Sequence, residues 1–293
     1  IITFPLIICL SYGLVLGKWG LPKLAMGGIT GASFIVDICI TVIAIMIACH
    51  AKWSKVYGVF SRPYGLNYHM VYQIVSLGWP IALQVSGELA AMTVAAYLMG
   101  LFGPSALAAQ QIVGQFTLLF VMISIGLSSA VSILVSHGYG ERNLNAITQT
   151  CKAGCVFGLM VSGLFALGFL VFPKTLVDFY LNIDHAAHSQ LVDYAVYFMM
   201  VAVIYTSFDG IRAIFSNTLR GMQDAKTPMK ISIFCLWAIG LPCAYIGGFV
   251  FSGGPVGLRI GFTICVLIAA PVMVQRCLKK WRMVEKEFQN GSN

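Results

Sequence analysis

Apolar runs long enough to cross a bilayer recur along this chain from one end to the other. About 20 consecutive apolar residues carry a helix through the hydrocarbon core. Inside lipid every backbone N–H and C=O must find a partner within the protein, which leaves helices as the spanning structures for runs of this length. The chain is 59% hydrophobic and 10% charged, with a mean hydropathy of +0.87; a soluble domain carries roughly 25% charged residues. A soluble helical core would also need a polar face on each helix, and most of these segments lack one. The expected fold class is therefore an all-α polytopic membrane protein. It has about eight transmembrane helices, at roughly 1–16, 25–49, 72–101, 106–137, 147–172, 190–219, 229–251 and 256–277.

The connections carry turn chemistry, as in GKWGLPK (17–23), FGPS (102–105), HGYGERN (137–143) and SGGP (252–255). Lys and Arg set the orientation. Thirteen lie on the side reached after even-numbered spans, among them Lys52, Arg142, Arg220, Lys226 and Arg276; the other side has Lys18, Lys23, Lys174 and Arg259. This places the even-side loops and the C-terminus in the cytoplasm. The formal net charge of +8 is thereby a topology signal and calls for no nucleic-acid partner.

Residues 50–71 form the longest connection, basic and aromatic, with Trp53, Tyr57, Phe60 and Tyr64. It reads either as an interfacial segment on the membrane surface or as an ordinary linker. An internal repeat makes it a seam. A Gly/Pro turn leads into G-x-x-x-G at Gly27 and Gly31, and again at Gly257 and Gly261; such pairs allow close helix packing in lipid. The expected organisation is residues 1–49 as the last two helices of an N-terminal lobe, 50–71 as the inter-lobe linker, 72–278 as a six-helix C-terminal lobe and 279–293 as a cytoplasmic tail. The chain opens at Ile1 inside an apolar run, without the basic flank of a signal peptide. The expectation is that further helices precede it, giving about twelve in two similar halves, a design common in transporters.

Three carboxylates interrupt the apolar runs: Asp37, Glu88 and Asp209. An ionisable group at membrane depth is costly and marks a functional site by default. Glu88 lies about 24 Å along the third span at 1.5 Å per residue, beside Ser86, Gly87 and Thr93. Burial disfavours the charged form of a carboxyl, so Glu88 can take a proton, or a cation in its place. The structural alternative is a protonated Glu bonded to a neighbouring helix. Asp209 has Tyr205 at i−4 and Arg212 at i+3 on one helix face. The Asp–Arg pair reads either as a static ion pair or as a switch. Asp37 sits among apolar neighbours and faces either the bundle interior or the other half. Gln111, Gln115, Phe116 and Met92 are candidates to line a substrate cavity; packing or lipid contact is the plainer account of Phe116 and Met92.

The nine Cys residues show no CxxC spacing and read as reduced, buried, small apolar residues. The chain carries no H-E-x-x-H, G-x-S-x-G or P-loop, so an enzyme is disfavoured.

The stretches GWPIALQVSGELA (78–90), ALAAQQI (106–112), YTSFDGIR (205–212), NTLRGMQDAKTPM (217–229) and GLPCAYI (240–246) resemble the multidrug and toxic compound extrusion (MATE) family, in its NorM-like bacterial branch. The resemblance runs from about residue 11 to 278. It implies a twelve-helix, two-lobe antiporter of the plasma membrane (the bacterial inner membrane), monomeric and without cofactors. Such a protein expels small organic, often cationic, compounds using H+ or Na+. It implies further that Glu88, Asp209 and Tyr205 form the cation site, with Na+ at Glu88 and Asp209 as the one metal to expect. Arg212 departs from the pattern, because relatives tend to have an uncharged residue there; H+ coupling or an Arg-gated mechanism gains from it. A flippase for a lipid-linked precursor would show more cations facing its cavity, and Arg212 is the only deep one in this reading. A channel would show acidic rings or a filter loop.

Overall fold

The computed structural model describes residues 8, 12, 13, 15, 26–50, 67–180 and 189–290. It divides into two compact units, Ile1–Tyr68 and His69–Asn293. In the first, helix α1 (Met26–His50) exposes Phe34, Ile35, Ile38, Val42, Ile43 and Met46. An added Cβ at Gly31 would meet nothing within 4 Å. The first expected span is described only at residues 8, 12, 13 and 15, all helical. The aromatic residues Trp53, Tyr57, Phe60 and Tyr64 lie outside the described residues.

The second unit is built from α2 (Tyr68–Gly100), α3 (Pro104–Gly140), α4 (Leu144–Val171), the short α5 (Pro173–Tyr180), α6 (Ser189–Gly221), α7 (Lys226–Val250) and α8 (Gly254–Asn290). All but α5 are long and apolar enough to cross a membrane. Most expected ends move outward. The third span begins at Tyr68 rather than residue 72, and the eighth continues as helix to Asn290. Basic and acidic residues on an amphipathic helix still form i→i−4 bonds, so hydropathy marks where lipid ends and not where the helix does.

Local chemistry sets the boundaries. Gly103 takes φ 108°, a left-handed region that favours glycine, and Pro104 opens α3. The Asn143 side chain accepts from the Ala146 N–H at 3.1 Å and caps α4. Asp224 does similar work for α7: its Oδ1 accepts from the Thr227 N–H at 3.2 Å. Its Oδ2 accepts from Thr227 Oγ1 at 2.9 Å and from Arg276 Nη2 on α8 at 3.2 Å, which clasps the expected cytoplasmic ends together. Within α7, π-helical turns at Cys235–Gly240 and Ile246–Val250 flank Pro242.

Small residues bring the helices close. A Cβ at Gly257 or Gly261 would strike the backbone of Gly247 or Cys243 on α7. The C-terminal G-x-x-x-G is thus the α7–α8 contact that its spacing predicts. One apolar core joins Met99, Val113, Phe169, Phe198 and Leu258; a second joins Val135, Ile147, Leu219, Met222 and Met273. Between them lies a third, smaller cluster of Tyr205, Cys235, Cys265, Val266 and Ala269. The eight described cysteines are free, and Cys39 and Cys49 are exposed rather than buried.

Helix α2 stands apart in one respect. Its most apolar window is 17% buried, against 50% for α8, so side-chain bonds have a larger share in holding it. Trp237 Nε1 donates to the Gly87 carbonyl at 3.2 Å, and the remaining bonds converge on Gln84 and Glu88.

Candidate cation site

Glu88 lies in the middle third of α2, a 33-residue helix, and Asp209 lies on α6 with Tyr205 one turn before it and Arg212 one turn after. Arg212 joins them. Its Nε and Nη2 both reach Asp209 Oδ1 at 2.8 Å, and its Nη1 donates to Glu88 Oε1 at 3.1 Å and to Ser232 Oγ at 3.3 Å. A guanidinium is a planar fork of five donors, which lets one side chain serve carboxylates on two helices. The side chains are 6% (Asp209), 16% (Arg212) and 29% (Glu88) exposed, so Asp209 is the buried anchor and Glu88 the accessible arm. Charge-assisted bonds of this kind are roughly twice as strong as neutral ones.

Gln84, one turn before Glu88 and itself buried, fixes the second side of the network. Arg220 Nη2 lies 2.9 Å from Gln84 Oε1. Arginine only donates, so the Gln84 carbonyl must face Arg220 and its amide N–H groups must face away. They do: Nε2 donates to Glu88 Oε1 and to Ser232 Oγ, each at 3.0 Å. Glu88 Oε1 therefore accepts from both Gln84 and Arg212, while Oε2 has no partner among the described residues.

Beside this network is a cavity of about 40 Å³. Glu88, Met92, Tyr205, Asp209, Arg212 and Ser232 line it with the apolar Leu236, Phe262, Val266 and Ala269. A water needs roughly 10–15 Å³ of such space, and drug-sized sites run to several hundred; this cavity holds a few waters, an ion or one small head group. Tyr205 is buried, and its hydroxyl has no hydrogen-bond partner among the described residues.

Of the residues singled out in the sequence, Glu88, Asp209, Tyr205, Arg212 and Met92 come together here. Gln111 and Gln115 lie on the exposed face of α3, and Phe116 packs against the first apolar core, so these three do not line this cavity. Asp37 belongs to the first unit, exposed beside Phe34, Ile38 and Thr41. Gln84, Ser232 and Arg220 are the members that sequence reasoning missed. Gln84 at i−4 from Glu88 was the available signal. Arg220, the penultimate residue of α6, and Arg259, near the start of α8, are both part-buried.

A family model described as MatE matches residues 80–246, which contain the whole network just described. The chain is 32% identical over 277 residues to the probable multidrug resistance protein NorM of Pseudomonas putida, covering 93% of this chain and 59% of that protein. Against the protein of the same name from Mesorhizobium japonicum it is 27% identical over 290 residues, covering 97% and 61%. The fold matches a crystal structure of MATE in complex with MaL6 at a TM-score of 0.86 and 16% identity, over 97% of this chain and 62% of that one. It matches an outward-facing multidrug resistance MATE family transporter at a TM-score of 0.84 and 16% identity, over 96% and 61%. The chain spans about three fifths of the length of these relatives. It is a multi-pass helical membrane protein, and it belongs to the MatE family.

Proposed function

We propose that this chain forms part of a cation-coupled efflux antiporter, which expels small organic, often cationic, compounds across the bacterial inner membrane with the C-terminus in the cytoplasm. The names of its relatives support efflux. The observation that carries the coupling is that Glu88 and Asp209, on different helices, share the single guanidinium of Arg212. Taken by itself, the triad of two carboxylates and one guanidinium carries one negative charge in excess, with Arg220 held nearby on Gln84. One proton or one monovalent cationic group of a substrate neutralises it, and the two compete.

The coupling ion in this reading is the proton. Both carboxylates are already taken by Arg212, so Na+ would have to expel a tethered cation. A proton on Glu88 needs no such exchange. It neutralises Glu88, weakens the bond to Arg212 and leaves the guanidinium wholly on Asp209. That releases the ion pair joining α2 to α6. A ligand shifts a conformational equilibrium only by binding its two states differently, and making or losing this bond supplies the difference.

The test is ethidium efflux from cells lacking their own pumps, carrying the full-length gene. Glu88→Gln and Asp209→Asn should each abolish gradient-driven efflux. Unchanged efflux in both would overturn the reading. Replacing Na+ by K+ at fixed pH should leave wild-type efflux unaltered, whereas collapsing the pH gradient should stop it; the reverse pattern would assign Na+.

A further inference from the structure

Three thiols of the second unit converge away from the cation site. Cys151 and Cys155 lie one turn apart on α4, both half-buried, and Cys277 on α8 is buried. Spacing of i,i+4 puts the first two on one helix face, and their sulfurs are within hydrogen-bonding reach of each other. Cys277 is near enough to interact electrostatically with both. The Thr218 hydroxyl on α6 donates to Cys151 Sγ at 3.9 Å. Cys155 and Cys277 share an apolar core with Met222 and Met273, so the surroundings are rich in sulfur. None of these residues lines the Glu88 cavity.

At this spacing a reduced thiol pair has two chemistries open to it, a disulfide or a shared metal ion. Cβ atoms four residues apart on a helix are about 5–6 Å apart, whereas a disulfide needs about 3.5–4.5 Å. Oxidation would therefore distort α4. A metal ion held between two sulfurs spans about 4.6 Å, twice a bond of roughly 2.3 Å, and rotation of the side chains supplies that without moving the backbone. The donor set then selects the ion. Among the described residues no group of three or more His, Cys, Asp or Glu is gathered to hold a metal. That removes Zn2+, which takes four ligands. Soft thiolates select Cu+, a closed-shell ion for which two sulfurs in line suffice.

We infer that Cys151 and Cys155 form a two-thiolate site for Cu+, walled by Thr218 and Cys277. Binding releases both thiol protons to water and leaves the site with one negative charge. Lys152, exposed three residues before Cys155, offsets it. The site has a route to water. Arg276, next to Cys277, reaches Asp224 where α7 begins, which puts the thiols near the expected cytoplasmic ends of the helices, in a reducing compartment. The inference stands apart from the efflux reading, since it asks nothing of Glu88 or Asp209.

The test titrates the full-length protein in detergent, without oxygen, with Cu+ against the coloured competitor bicinchoninate. Wild type should withdraw at least one equivalent that Cys151→Ser and Cys155→Ser both lack. Each substitution should weaken that equivalent by more than about a hundredfold, since losing a ligand exceeds the 10–100-fold typical of losing a supporting group. Cys39→Ser and Cys49→Ser on α1 should bind as wild type, and so should Glu88→Gln, which separates this site from the transport machinery. Zn2+ should not be held at this site. A wild type that withdraws no Cu+, or serine variants that withdraw as much as wild type, would overturn the inference; so would an equal loss in Cys39→Ser. A second measurement needs no variant. Bound Cu+ should shield Cys151 and Cys155 from maleimide in the wild-type protein, read by mass spectrometry of its peptides, and undiminished labelling of both would overturn the inference.

Discussion

Arg212 on α6 donates to Glu88 on α2 across 3.1 Å while holding Asp209 at 2.8 Å. α2 is the least buried span of its unit, so this bond carries an unusual share of that helix's attachment.

Removing the tethered cation should change the ion dependence. Arg212→Ala leaves Glu88 and Asp209 facing one another without compensation, in an opened cavity. Its thermal stability in detergent should fall by about 3 kcal/mol, the low end for breaking a buried pair, and added Na+ should restore part of that. Wild type should show no Na+ effect in the same melting assay.

Gln84 and Arg220 should act as a unit, since Arg220 Nη2 orients the Gln84 amide at 2.9 Å. Gln84→Leu and Arg220→Met should each destabilise the purified protein. The double variant should cost less than the sum by about 1 kcal/mol, the coupling expected of residues in one network. Strict additivity in thermal unfolding would show that the two bonds are independent.

The glycines separate into two kinds. Gly261→Ala forces a Cβ onto the Cys243 backbone and should cost at least about 2 kcal/mol through displacement of α7 from α8. Gly163→Ala on α4 meets nothing within 4 Å and should stabilise by up to about 1 kcal/mol, because Ala loses less backbone entropy in a helix. Fluorescence-detected melting of both variants checks the contrast.

Asp224→Ala removes the α7 cap and the Arg276 contact together. Arg276 is 36% exposed, so the ion pair contributes little and the cap most of an expected loss of about 1 kcal/mol. Asp224→Asn, which keeps an acceptor, should lose less. Equal losses in a melting assay would place the effect in the ion pair.

Much of this was legible in one dimension. The Asp209–Arg212 pair lies three residues apart on a helix, and i,i+3 spacing alone puts the two in reach. Gly257 and Gly261 likewise announced a close helix contact. Other features needed the structure. Arg220 was counted with the loop because hydropathy falls before a helix ends, and it is the penultimate residue of α6. Gln111 and Gln115 share a polar stripe on α3, which is exposed in this unit and is not among the residues lining the Glu88 cavity.

The sequence by itself determined that the chain crosses the membrane repeatedly as helices, and that Glu88 and Asp209 are its anomalies. Hydropathy and the price of charge in lipid are local properties, readable residue by residue. Only the tertiary structure decided that Glu88, 124 residues from Arg212, shares its guanidinium, and that Gln84 and Ser232 complete the network. Those are contacts between helices, and helix periodicity specifies a face without naming the neighbour that will cover it.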